Sequence, residues 1–460
     1  MREPLFNTLA RPQPVALAGK RVLVLGAGDT GLSVAKWVTR AGGNVRVADT
    51  RDAPPRMKEL SGALHTGPFT TALLEGADLV CISPGVALAE PVLREAIARG
   101  VPVVGDVELF AWAVRSRAGA RVLAVTGTNG KSTVTALTGH LLRAAGVDCE
   151  VAGNIGPAAL DALMKPRETP PAVWVLELSS YQLETTWALE PEAAALLNLC
   201  EDHLDRYDGL EEYGAAKARI FLGAGVQVLN RDDARSMACA LPGRAEVTFG
   251  LAAPDRSEDF GITDSGILVR GEEHILPLQD LAIHGAHNAA NALAACALAR
   301  AAGLPLASLA AGLRTFKGLP HRLQRIALRR GVAWYDDSKG TNVGATIAAL
   351  SGLSEKAVLI LGGEGKGQDF SPLVAAVRAR ARHLLLIGRD APLIATALAA
   401  SGVPLEHCDS LERAVARAAE CARPGDAVLL SPACASFDMF RNYAHRGEVF
   451  ASSVRNLGDG

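Results

Sequence analysis

The stretch "RVLAVTGTNGKST", residues 121–133, restricts the fold more than any other part of the chain. An apolar run ends in a glycine-rich turn, and a helix-forming segment follows through about Ala145. Two glycines, a lysine and hydroxyl residues can cradle phosphate only where backbone N–H groups converge at a helix start, which fixes the order strand, loop, helix. Such units build α/β layers with mainly parallel sheets. The common phosphate loop reads G-x-x-x-x-G-K-[ST]. Here Val125 stands at its first glycine position, and a glycine comes two places later, at Gly127. These residues allow three readings: a damaged loop, a coincidence, or a loop of another design. In the functional readings Gly127, Thr128, Asn129 and Gly130 wrap phosphate, Lys131 supplies a point charge, and Ser132 or Thr133 a Mg²⁺ ligand.

Short β-branched runs alternate with Ala/Leu-rich stretches along most of the 460 residues. "RVLVLGAG" (21–28), "DTGLSVAKWVTRAG" (29–42) and "NVRVADT" (44–50) read as strand, helix and strand, and the alternation restarts near residue 110. "AVWVLELSS" (172–180) and "AAALLNLCEDH" (193–203) read as buried strands with polar exits. Residues 244–280 predict an antiparallel ribbon, followed by a long alanine-rich helix. Gly318 and Pro320 mark a second boundary, after which "AVLILGG", "HLLLIGR" and "DAVLLSPACAS" predict three strands. Length suggests about three domains.

Hydrophobic residues make up 49% and charged residues 21%, with a formal charge of -2. That balance is globular and offers no global positive field to nucleic acid or anionic lipid. The eight cysteines form no C-x-x-C pair, so buried reduced thiols are expected. No run approaches a membrane span, and prolines interrupt the first residues, so neither a membrane anchor nor a signal sequence is expected. The expected location is cytoplasmic.

Further stretches carry chemistry. "GAGDTG" (26–31) fits G-x-G-x-x-G between a strand and a helix, with Asp49 ending the next strand. It reads equally as an NAD site, a tight turn that binds nothing, or a seat for another nucleotide diphosphate. Glu177 leaves "VWVLE" where a carboxylate can reach metal beside a phosphate loop, or serve as a structural acid. His203 stands among Glu201, Asp202 and Asp205, which suits metal or proton transfer as well as a structural role. Lys217, between alanines, reads from periodicity as a solvated lysine. Asn288 and Asn291 share a helix face, toward an adenine edge or as caps. "YDDSKGTN" (335–342), "LGGEGKGQDF" (361–370) and "SPACASFDMF" (431–440) place acids, lysines and small hydroxyl residues at strand exits, where α/β sheets bind ligands.

In order, "TGTNGKST", "GNIG", "LELSSYQLE", "NLCEDHLDRY", "AAKARI", "HNAANALAA", "GLPHR", "DDSKGTN", "GGEGKG" and "SPACASFDMF" resemble the sequence blocks of the Mur ligases, from about residue 20 to about 450. That family's loop is T-G-[TS]-N-G-K-[ST], so Gly127 stands where the family keeps it and Val125 belongs to the strand. The resemblance implies three α/β domains: a Rossmann-like UDP-substrate domain (1–110), a central P-loop-type ATPase domain with a mainly parallel sheet (111–318), and a Rossmann-like amino-acid domain (319–460). The last-domain blocks are most similar to members that add D-glutamate to UDP-N-acetylmuramoyl-L-alanine. ATP would phosphorylate the muramoyl-alanine carboxylate, and the amine of D-glutamate would displace phosphate from the acyl phosphate. This is a step of peptidoglycan precursor synthesis.

By the same resemblance Lys131, His203 and Lys217 are catalytic, and Ser132, Glu177, His203 and Lys217 form a Mg²⁺ site. Lys217 would be carbamylated, turning an ammonium into a carboxylate-like metal ligand. The loop from Gly127 to Thr133, together with Asn291, Arg322 and Asp337, would hold ATP, with Asn291 toward adenine and Asp337 toward ribose. Asp29, Thr30, Thr50 and Arg51 align with the uridine diphosphate site, and Asn154 and Tyr181 with positions near the muramoyl-alanine. Lys339, Thr341, Lys366, Ser436 and Tyr443 align with the D-glutamate pocket. Three positions depart from the family pattern: Asp29 where leucine can occur, Gly340 where alanine is more usual, and Gly367 where serine is common. The last domain would close over ATP about 316–321, and a monomer without nucleic-acid or membrane partners is expected. The competing readings are a sister Mur ligase, a folylpolyglutamate synthetase, an NAD-dependent dehydrogenase built on "GAGDTG", and a nucleotide-binding scaffold without turnover.

Overall fold

The computed structural model describes residues 4–9, 11–60, 62–117, 119–283 and 285–458. Among them the strands form three sheets of five, nine and six strands. In the first, the order is Ala63–Thr66, Asn44–Asp49, Arg21–Leu25, Leu79–Ile82, Val103–Val104, parallel throughout. This order is that of a Rossmann-like half, whose switch point lies beside its first strand. The first strand is buried from Val22 onward, and the helix Asp29–Arg40 buries Leu32, Val34, Ala35 and Val38. That spacing brings one apolar stripe down on the sheet.

The second sheet is centred on Arg121–Thr126, with Val173–Glu177 and then Cys149–Gly153 on one side and Ala193–Leu196, Val226–Asn230 and Glu246–Phe249 on the other, all parallel. The expected antiparallel ribbon is smaller than 244–280 suggested. Only Phe260–Ile262, Ile267–Arg270 and Glu273–Pro277 run antiparallel to one another, because Glu246–Phe249 pairs in parallel with the main sheet. The third sheet runs Gln324–Arg329, Val332–Asp336, Ala427–Leu430, Ala357–Gly362, Ala381–Ile387, Leu405–His407, and only its first pair is antiparallel.

The chain separates into two compact units. One contains Met1–Leu199, Glu211–Asp280 and Asn291–Arg314, with the first two sheets. The other contains Cys200–Leu210, Leu281–Ala290 and Thr315–Gly460, with the third sheet. All eight cysteines are free thiols. Among the described residues no helix is long and apolar enough to cross a membrane.

The helix Leu411–Cys421 shows how the third sheet is covered. Ser410 caps it by accepting the Arg413 N–H at 3.1 Å, and Leu411, Ala414, Val415 and Ala418 turn one face inward. Leu411→Ala should lower stability by about 2–5 kcal/mol through the cavity it leaves. Leu393→Ala, at a position 62% exposed, should change it by no more than about 0.5 kcal/mol. Urea denaturation of both variants checks the contrast.

Candidate active site

The central strand of the second sheet delivers its loop directly from the core. Val122 to Thr126 are buried, and the helix Lys131–Ala144 begins where the loop ends. Gly127 (φ 146°) and Gly130 (φ 83°) adopt backbone that L side chains rarely reach, which explains both glycines. A Cβ at Gly130 would also collide with the Asn291 amide oxygen, so Asn291 lies against the loop. Asn198 clamps the loop from the neighbouring strand end. Its carbonyl accepts the Thr128 N–H at 2.9 Å, its Oδ1 the Asn129 N–H at 2.8 Å, and its Nδ2 donates to the Asn129 carbonyl at 3.1 Å. Asn198 was not among the expected site residues; its signal was a polar residue at the exit of the apolar run "AAALLN".

Parallel register brings further groups to this edge. Val125 pairs with Glu177, and Glu177 with Gly153. Glu177 is 1% exposed, and its Oε1 accepts from Asn154 Nδ2 at 2.7 Å. Ser132 is buried and Tyr181 half-buried in the turn that follows Ser179. Lys217 is no solvated lysine: it is 1% exposed, with Nζ 2.8 Å from the Gly127 carbonyl oxygen and 4.6 Å from the centre of the Tyr213 ring. Tyr213 lies four residues earlier on the same helix face, a periodicity signal that the alanine neighbours obscured. Lys131 Nζ donates to the same Gly127 carbonyl at 2.8 Å, and also to that of Thr128.

At the first sheet, Asp49 already takes the donors around it. Its carboxylate accepts the Ala27 N–H at 2.7 Å, the Arg51 N–H at 2.9 Å and two Arg51 guanidinium bonds at 2.8 and 2.7 Å. The Arg51 guanidinium holds the carboxyl down at about 2 against the cost of its burial. Asp49 therefore braces the "GAGDTG" turn and orients Arg51, which leaves it poorly placed as an NAD ribose acid. Asp29 is exposed and pairs with Arg56 at 2.6 Å, so its charge is balanced locally. Thr30 opens the helix, and Thr50 follows the second strand, exposed.

In the other unit Leu430 pairs with both Asp336 and Ile360, so three neighbouring strands end together. The loops "DDSKGTN", "SPACAS" and "GGEGKG" leave from those ends and hydrogen-bond to one another. Ala433 N–H donates to the Gly340 carbonyl at 3.0 Å, and Glu364 and Ala435 exchange N–H bonds at 3.0 and 2.8 Å. Arg446, fully buried, donates to the carbonyls of Ser338 at 2.8 Å and Cys434 at 3.1 Å, and burial lowers its pKa to about 10. Lys339 lies 5.0 Å over the Tyr443 ring, and Lys366 Nζ is 3.0 Å from Asp202 Oδ1. Asp202 also accepts from Asn342 Nδ2 at 3.3 Å and from the His203 N–H at 3.0 Å, and the His203 ring is 3.7 Å from its Oδ2. Asp202, Asn342 and Arg446 went unassigned in sequence, since nothing in their spacing marks a loop tie. Thr341 and Ser436 stand in these loops. His321 Nδ1 lies 2.7 Å from Asp336 Oδ2, a contact that raises the imidazole pKa. Asp337 is buried, and desolvation pushes its carboxyl up to about 7, with Arg322 opposing.

A phosphate loop with a buried acid and two lysines at one sheet edge, in a unit that also holds a Rossmann-like sheet, defines a nucleotide-dependent α/β enzyme. Comparison with known proteins narrows the class. Residues 20–105 match the family description "Mur ligase MurD-like, N-terminal domain", residues 125–299 "Mur ligase middle domain", and residues 321–434 "Mur ligase, glutamate ligase domain". The chain is 56% identical over 461 residues to a UDP-N-acetylmuramoylalanine--D-glutamate ligase of Thiobacillus denitrificans, covering 96% of this chain and 97% of that one. A protein of the same name from Aromatoleum aromaticum is 55% identical over 458 residues, covering 96% and 98%. Among solved structures, the fold is similar to UDP-N-acetylmuramate-alanine ligase MurC of Thermotoga maritima (TM-score 0.61, 19% identity, 95% of this chain and 100% of that one). MurF of Acinetobacter baumannii is similar to the same degree (TM-score 0.61, 19% identity, 96% and 92%). The chain belongs to the Mur ligase family, and it is a ligase.

Asp49 gives a pH test of its bracing role. A carboxyl held below its unfolded value stabilises the fold above about pH 4, and the contribution fades as pH falls toward 2. Arg51 is half exposed, so solvent screening reduces the gain to about 1–2 kcal/mol. Asp49→Asn should therefore cost that amount at pH 7 and less at pH 3. Urea denaturation at both pH values measures the gap, and an unchanged gap would refute the ion-pair account.

Proposed function

We propose that the chain joins D-glutamate to UDP-N-acetylmuramoyl-L-alanine, converting ATP to ADP and phosphate, as a monomer in the cytoplasm during peptidoglycan precursor synthesis. The observation that supports this reading is that the loops bearing Lys339, Lys366 and small hydroxyl residues leave three adjoining strand ends. A dicarboxylate amino acid needs cations and N–H or O–H donors on both ends. The relatives of that name, similar over nearly the whole chain, support the same assignment. We assign residues 1–110 to the UDP-substrate, 111–318 to ATP and 319–460 to the amino acid.

The substrate carboxylate attacks the γ-phosphorus and ADP leaves. The amine nitrogen then attacks the acyl carbon, loses its proton, and phosphate departs. Lys131 and the loop N–H groups stabilise charge on the transferring phosphoryl group, a step governed by position and electrostatics. Asn291 is assigned to adenine, Arg322 and Asp337 to the rest of the nucleotide, and Asn154 and Tyr181 to the muramoyl-alanine. Asp29, Thr30, Thr50 and Arg51 are assigned to the uridine diphosphate. Thr341, Ser436 and Tyr443 complete the D-glutamate pocket.

Mg²⁺ fits these residues. Among the described residues no cluster of three or more His, Cys, Asp or Glu forms a closed metal cage. Mg²⁺ beside nucleotides typically takes one or two protein oxygens plus phosphate and water, and buried Glu177 and Ser132 are of that type. When bound, the ion would neutralise developing phosphoryl charge. His203 is assigned to the same metal and catalytic role. Lys217 and Lys131 direct two ammonium groups at one carbonyl. Carbamylation of Lys217 would replace that like-charge crowding with an attractive pair, and we assign it so.

Phosphate release from Mg-ATP and UDP-N-acetylmuramoyl-L-alanine should require D-glutamate, with L-glutamate inactive and the amide seen by mass. Turnover with another amino acid would move the chain to a sister specificity, and ATP binding without turnover would favour a scaffold. Lys131→Ala should lower kcat by about 10²–10³-fold, as loss of one charge-stabilising donor does. After incubation with ¹³C-bicarbonate, a carbamate NMR signal should be present in the parent and missing in Lys217→Ala.

A further inference from the structure

Gly340 lies beside Asp337, and its surroundings give its missing side chain a consequence. Its backbone is not left-handed, so conformation alone does not demand glycine there. Space does: a Cβ would sit 2.6 Å from Asp337 Oδ2 and 3.0 Å from Ser431 Oγ. Into this gap the Asp337 carboxyl is folded. Oδ1 accepts the Leu323 N–H at 3.1 Å, and Oδ2 lies 2.7 Å from Ser431 Oγ.

Ser431 Oγ donates to Asp337 as a carboxylate, and the same network can turn to serve a buried neutral acid. An acid proton on Oδ2 can go to Ser431 Oγ, whose hydroxyl then turns to Thr346 Oγ1 at 3.1 Å. The Thr346 hydroxyl in turn donates to the Ser431 carbonyl at 3.2 Å. Each of these hydrogens then has an acceptor, and Asp337 itself carries no charge. The charged groups acting on Asp337 are Arg322 from the preceding loop, Asp336 beside it on the strand, and Arg446 from the helix Tyr443–Arg455. Ribose hydroxyls, as donors, are bound better by a carboxylate than by the neutral acid.

We propose that the gap beside Gly340 is a buried seat that holds Asp337 as a neutral acid against the pull of the Ser431 hydroxyl, and that nucleotide binding ionises it, releasing one proton to solvent. This inference rests on the reading that Asp337 meets the ATP ribose. Gly340 and Ser431 act through Asp337, so both are positioning residues. The seated carboxyl titrates at about 7. Affinity for nucleotide is then full above that pH and falls below it, by about tenfold between pH 8 and pH 6 for a single coupled proton.

The test is calorimetric titration of the full chain with a non-hydrolysable ATP analogue at pH 6, 7 and 8, in buffers of different ionisation enthalpy. The parent should lose about tenfold in affinity from pH 8 to pH 6 and release close to half a proton per nucleotide at pH 7. Gly340→Ala evicts the carboxyl into solvent, so its affinity should hold level across this range, above the parent's at pH 6. Ser431→Ala removes a hydroxyl that favours the anion, so its midpoint should move to higher pH. These opposite shifts are not what a general loosening of the loop produces. Equal pH dependence in parent and Gly340→Ala overturns the seat, as does a downward shift in Ser431→Ala. If the parent binds no nucleotide at any pH, the ligase reading fails and this inference with it. Nucleotide binding by the parent without proton release overturns the seat alone.

Discussion

Parallel strand register is the constraint on which the chemistry depends. Parallel neighbours point their carboxyl ends the same way, so residues far apart in sequence leave the sheet side by side. In the second sheet this sets Val125, Glu177 and Gly153 in one row, and the phosphate loop, its acid and Asn154 follow from that row. In the third sheet it sets Asp336, Leu430 and Ile360 in another, and three polar loops start there. The apolar strands themselves are buried in the sheet cores. Their burial holds these exits rigid enough for loops of small residues to keep a shape.

What sequence revealed and what it hid divide along a physical line. The phosphate loop was legible because backbone geometry dictates its glycines: Gly127 and Gly130 take positive φ, which few other residues tolerate. The strands of the sheet cores were legible because they are continuous apolar runs. Short edge strands such as Ala63–Thr66 and Leu405–His407 were not, since half-exposed residues carry little hydrophobic pattern. The hairpin Gln324–Arg329 and Val332–Asp336 was hidden likewise behind charged residues on its outer strand.

Side-chain environments were the least legible. Lys217 among alanines looks solvated, yet the helix turns it inward beside Tyr213. Asp49 occupies the place of a ribose acid in a dinucleotide fold, yet Arg51, two residues on, claims the same carboxylate. Asn198 and Arg446 act by tying loops, and a tie depends on which strands are neighbours in space. Local spacing does not carry that information, whereas the family resemblance compares whole ordered sets of loops and so identified the family of the chain.

The two units solve one problem in different ways. Each must hold polar loops at a sheet edge without leaving buried polar groups unsatisfied. The loop after Thr126 is held by Asn198, which takes the Thr128 and Asn129 N–H groups, and by two lysine ammonium groups on the Gly127 carbonyl. The loops of the third sheet instead close on a buried guanidinium, which takes up carbonyls from Ser338 and Cys434. Removing that guanidinium would strand those carbonyls in the core, which is costly. A rigid frame of this kind permits local adjustment at small residues. Gly340 sits at such a point, where an added Cβ would lie 2.6 Å from the Asp337 carboxyl.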